Sequence, residues 1–240
     1  MGEHRLGFEA VAVGIVAFAL LMGCDSEDPG VPESFELLDG AVCDAANGRF
    51  TREVDHPYFP LAVGSEWVLE GVEEGTPIRI EITVLERTEV VSGVVTRVVE
   101  SVEFEGGALV EISNNYFVQA EDGTVCYWGE EVDNYEDGVV VDNEGSWRAD
   151  EPGHAGGILM PGDVRPRVRF FQERAPGIAE DMSAILDVEL EVQLPIGELE
   201  EVVWARDWNP LEGQSSADGD DKWFAPGFGL VADGAALRVE

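Results

Sequence analysis

Acid–base and nucleophilic chemistry needs histidine, serine, cysteine or carboxylate side chains in specific combinations, and this chain offers few. It has three histidines; His56 stands beside a proline, and His154 lies in a glycine-rich stretch. A serine or cysteine nucleophile needs a base nearby, and no nucleophile-elbow motif occurs. A glycosidase-like pair of carboxylates could exist among the 50 acidic residues, but their number makes any chosen pair arbitrary. The sequence therefore predicts no catalytic residues.

Two acidic segments carry oxygen ligands of the kind that calcium prefers, namely 133–138 and 218–221. Neither matches the calcium-loop pattern, because Tyr135 occupies a ligand position in the first and Lys222 follows the second. Two separated histidines do not indicate zinc either. We expect solvated acidic turns here, with no metal and no cofactor.

Arg165, Arg167 and Arg169 are concentrated in one short stretch of an otherwise acidic chain. With the period of two typical of a strand, their side chains would share one face. Such a face could hold an anionic ligand or a lipid headgroup. The alternative, which we favour, is cross-strand pairing with acids such as Glu189 and Glu191.

An apolar run from Val11 to Met22 ends at the four residues Leu21-Met22-Gly23-Cys24. A bilayer-spanning helix takes about 20 apolar residues, so the run is too short to span but has the length of a signal-peptide core. The four residues resemble the bacterial lipobox, in which the cysteine thiol receives lipid. We expect a signal peptide over 1–23 and an anchor of acyl chains, such as palmitate, on Cys24. An ordinary cleaved signal or a buried apolar helix are the alternatives.

Lipidation of Cys24 would leave Cys43 and Cys126 as the remaining cysteines. The predicted location is the bacterial cell envelope, on the periplasmic side or the cell surface, where the environment is oxidising. A disulfide between Cys43 and Cys126 is the favoured prediction, and two separate thiols are the alternative.

The composition describes a folded, strongly acidic protein. The formal net charge is −36, and hydrophobic residues make up 45% of the chain. This charge repels nucleic acid and anionic membrane surfaces, so we expect no nucleic-acid partner. The hydrophobic content is too high for a disordered acidic polymer.

The chain divides into three predicted parts. After the signal peptide, residues 24–57 are rich in Asp, Glu, Gly and Pro and are expected to form a lipidated acidic tether. At about 3.3 Å per extended residue, such a tether could reach roughly 100 Å. Residues 58–240 are expected to form one β domain.

Alternating apolar and polar residues predict strands over 78–84 and 187–194, and β-rich runs cover 94–104, 108–120 and 124–130. Turn-forming pairs containing glycine separate the runs between 92 and 138, as consecutive hairpins require. Residues 145–162 are expected to be a loop region. Further strands are predicted over 167–173, 199–206 and 229–239, and residues 178–185 as a short helix or an irregular crossing.

The predicted fold is mainly β with little helix. It is a single large antiparallel meander sheet of about eight to eleven strands, curled into an open or closed barrel.

Three segments resemble motifs of a group of bacterial secreted proteins and lipoproteins of unassigned function. Residues 59–67, FPLAVGSEW, resemble their opening YPLxxGxxW; residues 223–231, WFAPGFGLV, resemble their ending WYAPGVGLV; and residues 122–130 resemble a central DxxGNVWYFGE segment. Cys126 departs from the apolar residue or tryptophan expected there. The similarity spans most of 58–233 and implies curved antiparallel sheets, distantly like the half-barrels of lipoprotein carriers. It supplies no catalytic residues.

Together these observations predict a non-enzymatic, membrane-anchored extracytoplasmic lipoprotein that binds a hydrophobic small molecule or an envelope protein. A structural or assembly subunit of the envelope is one alternative. A carboxylate-dependent hydrolase, with or without calcium, is the other.

Overall fold

The computed structural model describes residues 30–240, so the predicted signal peptide and Cys24 lie outside the described residues. Within these residues no helix is long and apolar enough to span a membrane, and the helices seen are the 3₁₀ turns Gly40–Cys43 and Pro210–Glu212. In chain order the strands are β1 (Glu36–Leu37), β2 (Phe50–Thr51), β3 (Asp55–His56), β4 (Phe59–Pro60), β5 (Glu66–Glu73), β6 (Thr76–Val91), β7 (Val94–Glu105), β8 (Ala108–Ala120), β9 (Val125–Glu136), β10 (Val139–Asp142), β11 (Trp147–Arg148), β12 (Ala155–Met160), β13 (Val168–Phe171), β14 (Glu173–Arg174), β15 (Met182–Leu194), β16 (Gly197–Trp208), β17 (Asp220–Ala225), β18 (Gly229–Asp233) and β19 (Ala236–Arg238).

Two antiparallel meanders make up most of the sheet. Strands β5 to β9 each pair with the next, and so do strands β15 to β19. The two meanders join where β19 pairs with β5, with Leu237 opposite Glu70. Strand β1 runs parallel to β13, so the 17-stranded sheet is mixed, and β3 and β4 form a separate hairpin. The prediction of a mainly β, largely antiparallel fold with little helix is confirmed for the described residues.

Tight turns connect the long strands of the first meander where the sequence predicts them. Ser92 and Gly93, between β6 and β7, have φ values of 52° and 78°, and Asp137 and Gly138, between β9 and β10, have 50° and 75°. Two consecutive residues with positive φ define the type I′ turn, whose twist matches that of the flanking strands. These turns fix the register of the paired strands.

A second kind of tight turn connects β17 and β18. Gly227 has a φ of 78°, and the amide of Phe228 donates to the carbonyl of Ala225 at 3.1 Å. This is the type II turn expected when proline precedes a residue with positive φ. It places Phe224 opposite Leu230 in the β17–β18 ladder.

The loop predicted over 145–162 contains strands β11 and β12 instead. Glycine usually indicates a turn, but here Gly156 and Gly157 lie in β12, which pairs with both β9 and β14. A Cβ on Gly157 would lie 2.0 Å from the carbonyl oxygen of Gln172. Glycine is therefore required by the close approach of the backbone between β13 and β14.

No helix forms over 178–185. Residues 176–178 form a turn, Ala179 forms an isolated bridge with Ala175, and Met182 begins β15. Small strands such as β11 and β14 also raise the strand number above the predicted eight to eleven.

The expected tether is largely part of the folded domain. Strand β1 pairs with β13 and β2 pairs with β8. Cys43 is fully buried and forms a disulfide with Cys126, with Cα atoms 5.5 Å apart. The Trp128 indole also donates to the carbonyl of Cys43 at 2.9 Å. Residues 36–56 are thus held against the sheet, and the tether prediction is wrong for them.

Buried aromatic and aliphatic side chains form the core. Trp128, Trp147 and Phe170 are at most 1% exposed. Trp67 is 5% exposed and also borders a cavity.

Candidate functional site

A cavity of about 260 Å³ lies between side chains of the two meanders. Alternate residues of single strands face it, as in the row Glu111, Ser113, Asn115 and Phe117 of β8. Successive side chains of a strand point to opposite faces, so a row with period two belongs to one face. The cavity is therefore built mainly by strands of the sheet.

One part of the cavity wall is aromatic. Phe59 lies 5.3 Å from Phe117 and 6.3 Å from Phe224, measured between ring centroids. The ring of Phe117 stacks on Tyr127 at 4.9 Å. Trp67 also lines the wall, and its buried indole nitrogen has no hydrogen-bond partner. Rings in this arrangement supply both apolar surface and negative π faces.

The rest of the wall is rich in carboxylates. Seven acidic residues line the cavity: Glu103, Glu111, Glu130, Glu173, Asp181, Asp207 and Asp233. Among the described residues, no ion pair links the first five of these acids to a basic side chain. Desolvation in a confined space disfavours such charges.

This environment raises the pKa of several of the acids toward neutrality. Burial raises the pKa of Glu130 to about 7 and that of Glu103 to about 7, and Glu111 adds repulsion in each case. Burial, with Asp181 and then Glu130 nearby, raises the pKa of Glu173 to about 8. Burial also raises the pKa of Asp181 to about 6, with Asp207 contributing. These carboxyl groups therefore titrate closer to neutral pH than exposed ones.

Lys222 is the single lysine of the chain, and it lines this cavity. Its ammonium lies 2.9 Å from Asp233 and 3.6 Å from Asp207. Burial alone would lower the pKa of Lys222, but the attraction of Asp233 and Asp207 outweighs it and raises that pKa. Lys222 thus remains charged and offsets part of the negative charge of its two partners.

Two hydrogen bonds orient the polar groups. The Tyr127 hydroxyl donates to Oδ1 of Asn115 at 2.5 Å, and the Trp147 indole donates to Oε1 of Glu173 at 3.1 Å. Oδ1 of Asp181, by contrast, is buried without a hydrogen-bond partner. An unpaired acceptor at a cavity wall is where a ligand donor would gain most.

Chemically, this arrangement suits two tasks. Excess carboxylates beside aromatic rings attract a cation with an apolar part. Carboxyl groups with different pKa values can also act as an acid and a base.

No family model, curated protein or solved structure matches this chain. The resemblance to a bacterial lipoprotein group therefore stays a prediction.

The three arginines predicted to share a strand face do not do so. Arg165 precedes β13 and forms ion pairs with Glu36 at 2.7 Å and Asp163 at 3.1 Å, not with Glu189 or Glu191. The backbone at Arg167 has a φ of 68°, which breaks the alternation before β13 begins.

Arg169 is the one member of this group that lies within β13, where its register partners are Leu37 and Ala184. The prediction that the three arginines share one strand face for an anionic ligand is therefore wrong.

The other predicted positions are separate from the cavity. The acids of 133–138 lie at the end of β9, where Asn134 donates to Asp142 at 2.7 Å. Asp218 accepts from Ser215 at 2.7 Å. Across residues 30–240, no cluster of three or more His, Cys, Asp or Glu residues has the geometry to hold a metal ion. Burial lowers the pKa of His56, and Nδ1 of His154 lies 3.0 Å from the carbonyl oxygen of Arg148.

The sequence reading missed the cavity acids because polar residues alternating with apolar ones normally face solvent. One signal was present in β8. Its polar row continues into Phe117 on the same face, and a solvent face would more often stay polar.

Proposed function

We propose that this protein is a membrane-anchored extracytoplasmic lipoprotein that binds a small molecule with an apolar part, without catalysing a reaction. The cavity between the meanders is the observation that carries the proposal. Small-molecule sites are concave, largely apolar and supplied with a few polar groups, and this cavity combines an aromatic wall with oriented polar side chains.

The sheet, in this proposal, curls around the ligand as an open or closed barrel. Support comes from the pairing of β5 with β19 on one side and of β12 with both β9 and β14 on the other. The β5–β19 ladder joins the two meanders, and side chains of both meanders line the cavity.

The anchor is lipid on Cys24, as the lipobox-like residues suggest, and the location is the cell envelope. The disulfide between Cys43 and Cys126 supports this compartment, since such bonds persist mainly in oxidising environments. Metabolic labelling with an alkynyl palmitate tests the anchor. The full chain should be labelled and the Cys24→Ser variant should not; equal labelling would refute the anchor.

A cavity-filling variant tests ligand binding. Ser101 lines the cavity, and Ser101→Trp should abolish binding of a small apolar probe, 2-phenylethanol, in calorimetry on the full chain. Val139→Trp is the matched control, because Val139 is 65% exposed and does not line the cavity. Both variants should retain the near-ultraviolet circular dichroism of the folded chain. Binding that persists in a folded Ser101→Trp variant would contradict the proposal.

A carboxylate-dependent hydrolase is the second candidate. The observation that favours it is the raised pKa of Glu173, about 8, beside Glu130 at about 7, because such groups can donate protons near neutral pH. A chromogenic glycoside and ester screen, with and without calcium, tests this candidate. Turnover that is lost in Glu173→Gln would favour hydrolysis, and its absence would leave the binding function.

A further inference from the structure

We propose that the ligand of the cavity is a small organic cation, a protonated amine attached to a compact apolar group. The inference rests on the proposed binding function and specifies the chemical class of its ligand. Its basis is the combination of an excess of carboxylates over basic side chains, an aromatic wall and unsatisfied buried atoms around one cavity.

The charge of the cavity is the first step. Seven acids face it with Lys222 as the single lysine, and Lys222 is engaged with Asp233 and Asp207. Among residues 30–240, none of the remaining five acids forms an ion pair within 4.0 Å of a basic side chain, and Lys222 acts on Glu103 and Asp181 only at longer range. Buried charges are tolerated when they are paired, so a positive ligand would stabilise the ionised cavity and a negative one would be repelled.

Unsatisfied polar atoms are the second, independent step. Trp67 is 5% exposed, and its indole N–H has no acceptor. In the β5–β6 ladder Trp67 stands opposite Ile82, and both side chains line the cavity. Oδ1 of Asp181 likewise lacks a donor. An ammonium N–H would satisfy Asp181, and an oxygen on the same ligand would satisfy the indole.

The aromatic wall is the third step. Phe117, Tyr127 and Phe224 line the same space as the acids, and aromatic faces attract ammonium groups while they bury apolar surface. A cavity of about 260 Å³ lies slightly below the roughly 300–1,000 Å³ of pockets for drug-sized ligands. The apolar group must therefore be compact, and a long acyl chain is too large.

Proton exchange follows from this ligand. The titratable groups facing the cavity are the seven carboxylates, Lys222 and Tyr127. The pKa of Glu130 is raised to about 7 and that of Glu173 to about 8. A bound cation favours the ionised form of these acids, so binding should release protons and should weaken as pH falls.

Calorimetry with matched probes tests the inference on the full chain in non-ionic detergent, with titrations into detergent alone subtracted. The probes are phenethylamine, its neutral counterpart 2-phenylethanol, the anion phenylacetate, and calcium chloride. Phenethylamine should bind at pH 8.5 about tenfold or more tightly than 2-phenylethanol, as a charge-assisted hydrogen bond implies. It should bind more weakly at pH 5.5.

Two variants locate the binding. The double variant Glu130→Gln, Glu173→Gln should lose the preference for the amine, whereas Glu136→Gln should keep it, because Glu136 is exposed at the end of β9. Near-ultraviolet circular dichroism and mass measurement of the intact disulfide confirm folding. If the double variant does not fold, Ser101→Trp serves as the second variant: it fills the cavity and should also lose amine binding.

Each outcome separates the two proposals. Equal affinity for phenethylamine and 2-phenylethanol, or tight binding of calcium without amine binding, would overturn the amine assignment. Binding of the neutral probe alone would still support a small-molecule cavity. A chain that binds none of the organic probes would overturn both.

Discussion

Replacing Glu173 by glutamine should stabilise the protein strongly at alkaline pH and by less than about 1 kcal/mol at pH 5. The pKa of Glu173 rises from an ordinary 4.5 to about 8, chiefly through burial. The unfolded chain loses this proton near its ordinary pKa, whereas the folded chain keeps it until about pH 8. Stability therefore falls as pH rises between these values.

The size of the effect follows from the same values. A rise in pKa from 4.5 to about 8 corresponds to about 5 kcal/mol of folding free energy lost above pH 8, as an upper value. Because Asp181 and Glu130 interact with Glu173, we expect Glu173→Gln to gain roughly 2–5 kcal/mol at pH 9. The amide keeps an oxygen that can accept from the Trp147 indole, now 3.1 Å from Oε1, so packing is preserved.

Urea unfolding at pH 5, 7 and 9, with the disulfide intact, measures the difference. Glu136→Gln is the control. Glu136 is an exposed glutamate, so this substitution should change the free energy of unfolding little at any of the three pH values. If the curves of free energy against pH for Glu173→Gln and the original chain run parallel, the reasoning about buried carboxylates is refuted.

Three other substitutions probe features outside this titration, each followed by urea denaturation. Replacing Cys43 and Cys126 together by alanine should cost about 4.5 kcal/mol, the loop-entropy value for a sequence separation of 83; a loss below about 1 kcal/mol would contradict this. Gly157→Ala should cost about 1–3 kcal/mol of stability, because its Cβ would lie 2.0 Å from the Gln172 carbonyl oxygen. Gly93→Ala is the comparison: its Cβ would meet no atom within 4 Å, so any loss of stability there reports backbone strain without a clash. Lys222→Met should cost about 3–5 kcal/mol near pH 8, and an equal cost at pH 4.5 would argue against its pairing with Asp207 and Asp233.

The long strands were predictable because their signals are local. The alternation over 78–84 and the turn at Ser92-Gly93 each involve neighbouring residues, and β8 coincides with the predicted 108–120. Strand β12 was not predictable by the same means. Gly157 is required by the close approach of Gln172, which connects β13 and β14, and only the folded chain brings these two residues together.

Residues 36–56 illustrate the same limit. Their acidic, glycine-containing composition is typical of a tether, yet a disulfide and short ladders to β8 and β13 hold them in place. Composition reports the average preference of a segment, while a covalent bond to Cys126 overrides it.

The residues that line the cavity were the hardest part of the structure to predict from the sequence. Glu103, Glu130 and Glu173 come from β7, β9 and β14, and each one resembles a solvent-facing acid in its own strand. Only the pairing of distant strands gives them a common interior. Cys43 and Cys126, in contrast, were selected by elimination among three cysteines.

The ladder between β5 and β19 has a consequence for the order of folding. Leu237 stands opposite Glu70, so a chain that emerges from its N-terminal side exposes the free edge of β5 until β19 is available. Contacts this distant in sequence slow folding, and an unpaired edge invites association with other chains. The β5–β9 meander can form earlier from local hairpins, and the edge of β5 then stays unpaired until β19 is available. Shortening the chain before Ala236 should therefore yield aggregation during refolding rather than a smaller stable domain.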